Sequence, residues 1–135
     1  MNRAIRVTSG VLAAGLCLAM AAPRAFEPRA LAAASGGLWE VGHSAKGEDA
    51  RPVCIAAPVL LSQWEHRGGR CTRVVISDTS NKAVIDYTCA DGGFGRSELT
   101  LVTPRTLRIA TQGISRDGPF NYTLHARRVG ECRPR

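Results

Sequence analysis

A chain of 135 residues with 18 Lys plus Arg against 11 Asp plus Glu carries a formal charge of +7. The length leaves room for one domain and excludes a second of ordinary size, and the sequence holds no internal repeat, low-complexity tract or coiled-coil heptad. The basic balance favours anionic partners over acid-poor or cationic ones.

The first residues place Arg3 and Arg6 ahead of an apolar run over residues 11–22, with Ala19 and Ala21 on either side of Met20. This is the pattern of a secretory signal peptide, cleaved after Ala21. The run is shorter than the roughly 20 residues a bilayer demands, and Arg24, Glu27 and Arg29 follow it, so no transmembrane anchor is expected once the leader is gone. Cys17 leaves with it. The 5 cysteines fall to 4 and the 18 basic residues to 16 against 11 acidic ones, a mature charge of +5. An even cysteine count in an exported chain reads as a disulfide framework.

Residues 22–35 are rich in Ala, Pro and Arg and show no period, so they read as a linker, leaving residues 36–135 as a single disulfide-stapled domain. Residues 36–43 form a first strand, with Leu38 and Glu40 on one face and Trp39 and Val41 on the other, and residues 51–55 form a short second one. Pro58 then suits the first turn of a helix. Val59, Leu60, Leu61 and Trp64 form its apolar side, Ser62, Gln63, Glu65 and His66 face outward, and Gly68 and Gly69 end it.

From Cys71 onward the period is two. Val74 and Ile76 share a face, then Ala83, Ile85, Tyr87 and Cys89, then Leu99 and Leu101, Leu107 and Ile109, and last Phe120, Tyr122, Leu124 and Ala126. Connections this short make an antiparallel meander. The expected fold is therefore mainly β, a meander forming a curled sheet or partial barrel, with one short amphipathic helix and two disulfides.

The cysteines lack the close pairs of a zinc site and the C-x-x-C of a redox site, and His43, His66 and His125 are far apart in sequence. Covalent staples among Cys54, Cys71, Cys89 and Cys132 remain. Four cysteines permit three connectivities, among which spacing does not choose; the expectation carried forward is Cys54 with Cys71 and Cys89 with Cys132.

Three features together, Gly37-Leu38-Trp39-Glu40, the four cysteines and the closing HARRVGEC over residues 125–132, resemble the small exported bacterial proteins of the domain of unknown function 3617 family, which is marked by a GLW motif. The resemblance implies export and a single domain. It implies no activity, cofactor or catalytic residue.

Catalytic constellations are weakly represented. Ser44 adjoins His43, but neighbours on a strand face opposite ways, and no G-x-S-x-G elbow is present. Glu40, Asp86 and Glu98 have no spacing that pairs two carboxylates, the DGGFG of residues 91–95 lacks the Lys and Ser/Thr of a phosphate loop, and Trp39 and Trp64 read as core anchors. No cofactor or metal is expected. Arginines gather at 67, 70 and 73 and again at 127, 128, 133 and 135, and Arg127 with Arg128 is the candidate anion-binding pair. Nucleic acid is not expected for an exported chain without a reading motif. The leading reading is a non-catalytic binding or structural module of the periplasm, with anionic envelope lipid or cell-wall polymer as its partner. A carrier of a small apolar ligand would need a cavity beside Trp64 or Tyr87, and a thiol or hydrolytic enzyme a free Cys or an activated Ser near a histidine.

Overall fold

The computed structural model describes residues 26–134. The expected leader, Cys17 and Arg135 lie outside the described residues. Alternation of apolar and polar side chains gives seven strands: β1 (Gly37–Gly42), β2 (Arg51–Ile55), β3 (Cys71–Asp78), β4 (Lys82–Cys89), β5 (Phe94–Thr103), β6 (Thr106–Ser115) and β7 (Gly118–Gly130). They form one open antiparallel sheet in the order β2-β1-β7-β6-β5-β4-β3. The last five make the expected meander, and the hairpin of β1 and β2 adds beside β7, so the first and last strands pair.

The inner face carries Trp39, Val41, Ala83, Ile85, Leu99, Leu107, Ile109, Leu124 and Ala126, all buried. Each large aliphatic group removed from water here contributes about 1.5–3 kcal/mol. Over this face lies residue stretch Pro58–His66, which is a 3-10 helix kinked at Gln63 rather than a regular α-helix. Three residues per turn in place of 3.6 shift the inward face. Ser62 and Gln63, expected in solvent, are therefore buried. The Ser62 hydroxyl donates to the Val59 carbonyl at 2.7 Å, its own carbonyl accepts from Ser97, and Gln63 bonds Gly69 and Arg73.

The segment expected as a linker is part of the core from Pro28 onward. A short 3-10 turn, Arg29–Leu31, buries Ala30 and Leu31 completely. The carboxylate of Asp78, at the end of β3, accepts the backbone N–H groups of Arg29 and Ala30, each at 2.9 Å. Two N–H donors hold this carboxyl below its ordinary range. The Trp39 indole N–H reaches back to the Ser35 carbonyl at 3.1 Å, closing the segment onto β1.

The disulfides are Cys54–Cys132 and Cys71–Cys89, which corrects the expected pairing. Cys71 and Cys89 stand directly opposite each other in the β3–β4 ladder, with Cα atoms 3.9 Å apart. Strand pairing, which spacing along the chain does not reveal, places them there. Cys54 faces Leu38 across β1, Leu38 in turn faces Gly130 at the end of β7, and Cys132 lies two residues beyond. The same register sets the faces of β3. Because Cys89 and Tyr87 point inward, their partners Cys71 and Arg73 do too, and the Val74 and Ile76 side chains are turned out, 56% and 52% exposed.

Candidate functional site

The outer face of the sheet is where side chains with free chemistry converge. Since Leu107, Ile109 and Thr111 of β6 and Leu124 and Ala126 of β7 are buried, their sequence neighbours face out. On β6 these are Thr106, Arg108, Ala110, Gln112 and Ile114. On β7 they are Asn121, Thr123, His125 and Arg127, and the register sets them side by side as Thr106 with Arg127, Arg108 with His125, Ala110 with Thr123 and Gln112 with Asn121. This outer strip of β6 and β7 is basic and polar, with no carboxylate at any of these positions.

Its lower end holds two clefts that share Arg127 and Thr106. One, of about 240 Å³, lies against the β1–β2 loop and is lined by Glu40, Lys46, His125 and Arg127 among others. The other, of about 370 Å³, is lined by Arg105, Thr106, Arg127, Arg128 and Val129. The Arg127 guanidinium donates to Glu40 at 3.0 Å, which fixes it while leaving most of its side chain in solvent. Arg128, the other half of the expected pair, lines the second cleft with Arg127, but its guanidinium is engaged elsewhere. Its side chain is 14% exposed, donates to the Gly36 carbonyl at 2.9 Å and pairs with Glu131, so it locks the GLW segment of β1 to β7. The expected pair thus lines one cleft, with Arg127 in solvent and Arg128 largely buried, and the two clefts bring Lys46, Arg105 and His125 near Arg127.

The upper end of the strip opens into a groove of about 680 Å³. One wall is apolar, Phe94 and Ile114, 49% and 39% exposed. The other is the row Asp86, Arg96, Gln112 and Asn121, in which Arg96 grips the Asp86 carboxylate with two hydrogen bonds and holds that carboxyl below its ordinary range. Between the walls runs the row Tyr87, Gly95, Gly113 and Phe120. Glycine is required there, because a Cβ on Gly113 would fall 2.1 Å from the Phe94 carbonyl oxygen and one on Gly95 would fall 2.7 Å from the Tyr87 ring.

Beneath that row, on the inner side, the rings of Tyr87 and Phe120 flank His66, with ring centres 5.5 and 5.9 Å from it. The Tyr87 hydroxyl and His66 Nδ1 hydrogen-bond across 3.0 Å, and Tyr122 donates to Glu65 at 2.7 Å. Burial, reinforced by Glu65, pushes the Tyr87 phenol up to about 12, and Tyr122 is raised by burial and by its bond to Glu65. Both phenols stay protonated and serve as supports. On the inner side His66 packs beside Tyr87, and the Arg67 guanidinium sits 4.3 Å over the Trp64 ring.

The remaining expectations resolve individually. His43 Nδ1 contacts Asp49 at 3.2 Å, but the Ser44 hydroxyl donates to Glu48. Asp49 accepts the backbone N–H groups of Ser44 and His43, which lower its carboxyl to about 2, so it organises the β1–β2 turn. Glu40, Asp86 and Glu98 are separated, each held by a different cation: Arg127, Arg96 and Lys82. All four cysteines among the described residues are in disulfides. Among the described residues no group of His, Cys, Asp or Glu is arranged to hold a metal ion, and no helix is long and apolar enough to cross a membrane. The strip itself is legible in sequence only as the outward alternation of residues 106–114 and 121–127; nothing in the spacing says that these two runs pair. No protein family, curated protein or solved structure matches the chain.

Proposed function

We propose that the protein is a non-catalytic binding module exported to the periplasm, a member of the domain of unknown function 3617 group, which engages an anionic component of the cell envelope through the basic end of its outer sheet face. The observation that carries this reading is the pair of clefts sharing Arg127, where Lys46, Arg105, His125 and Arg127 meet with Glu40 as the acidic lining residue. Converging cations beside concave surface concentrate anions and fix where they bind. Two disulfides accord with an oxidising compartment.

The test uses mature protein with two anionic probes, phosphatidylglycerol vesicles and polygalacturonate, at low and high salt. Salt-sensitive binding to at least one probe is expected, lost in an Arg105→Glu, Arg127→Glu variant and kept in an Arg70→Glu, Arg116→Glu variant of equal net charge. Equal loss in both variants, or no binding to either probe, refutes it.

A further inference from the structure

Resting on that reading, we infer that the anionic partner is a polysaccharide chain, which lies extended along β6 and β7 from Arg127 into the groove beside Phe94. The two ends of the strip belong to the same two strands and the same face. From Thr106 to Ile114 the rise of β6 spans about 26 Å at roughly 3.3 Å per residue. Midway, Ala110 and Thr123 stand opposite each other as two small side chains, and the carboxylate beside Ala110, Glu98 of β5, is paired with Lys82. The groove beyond is open, so it passes a chain rather than enclosing a compact molecule.

The chemistry changes along this lane in the order a charged glycan calls for. Arg108 and Arg127 meet carboxylate or phosphate groups. The side-chain amides of Gln112 and Asn121, adjacent in the register, offer paired donors and acceptors to sugar hydroxyls. The Phe94 ring, half exposed at the groove wall, matches the C–H face of a pyranose. A lipid headgroup would use the cationic end alone and leave the amides and ring without a role. A nucleic-acid strand asks for successive exposed stacking rings, and of the aromatic rings lining the groove Phe94 is the one among the exposed large hydrophobic side chains.

Oligogalacturonates of increasing length supply the probe, with neutral malto-oligosaccharides and phosphatidylglycerol vesicles alongside. Affinity for the acidic chains rises with length until they reach about 26 Å, then levels. Arg127→Glu weakens every length about tenfold. Phe94→Ala, at an exposed position, abolishes the gain with length and leaves the shortest chain and the melting temperature unchanged. Equal affinity for short and long acidic chains, or an unaltered length dependence in Phe94→Ala, overturns the inference. Vesicle binding under those outcomes keeps the basic-end reading and assigns it a headgroup; failure of every anionic probe removes both.

Discussion

At one end of the sheet, Cys54–Cys132 joins residues 78 apart and holds β2 to the tail that leaves β7; at the other, Cys71–Cys89 joins residues 18 apart that already face each other in the β3–β4 hairpin. The first closes most of the domain into a loop and fastens the β1–β2 hairpin to the segment that follows β7. The second adds a covalent rung to contacts that are local. A disulfide acts largely on the unfolded chain, so its effect depends on the loop it closes more than on the bond. The β3 end compensates by another route: the segment ahead of β1 inserts Leu31 into the core and docks on Asp78, tying residues 29–31 to the strand farthest from β1.

That comparison ranks the expected effects of breaking each tie. Replacing Cys54 and Cys132 together by Ser should cost about 4–5 kcal/mol in denaturant unfolding, from the entropy of a loop of this length. Leu31→Ala removes a fully buried side chain and should cost about 3 kcal/mol, within the range for core truncation. A cost near zero would return residues 28–31 to the status of a linker. Replacing Cys71 and Cys89 by Ser should cost at most about 3 kcal/mol, less than the first pair, because hairpin pairing persists.

The smallest effect concerns Glu27, whose Oε1 is buried without a partner and whose carboxyl burial raises above its ordinary value of 4.5, against the backbone bond to Val59 and the charge of Arg73. The folded chain thus favours the protonated form. Its contribution is complete below pH 4.5 and is lost as pH rises through the folded pKa. Glu27→Gln should therefore raise the melting temperature at neutral pH by a few degrees, under about 1 kcal/mol, and leave it unchanged well below pH 4.5. A gain of the same size at both pH values would assign it to packing instead.

The contrast between the two ends also separates what alternation and spacing reveal from what they conceal. The meander was readable because Ala83, Ile85, Tyr87, Leu99, Leu107, Ile109, Leu124 and Ala126 alternate with polar neighbours, and all are buried. Long-range register was not. It decides that Cys71 meets Cys89, that Cys132 reaches Cys54, and that Arg127 stands beside Thr106 on the outer face while Arg128 turns to Gly36. The 3-10 pitch over Pro58–His66 likewise defeats a count made at 3.6 residues per turn, and Ala30 and Leu31 show no period because a single short turn supplies them. Site residues at alternate positions of two strands share a face, but only pairing makes them one surface.

The most direct test of this two-ended account is a disulfide map of mature protein, alkylated without reduction, digested and sequenced by mass spectrometry. The account predicts Cys54 linked to Cys132 and Cys71 linked to Cys89, with no free thiol. A Cys54–Cys71 link would contradict it, since the β3–β4 register and the pairing of β1 with β7 would then both be wrong.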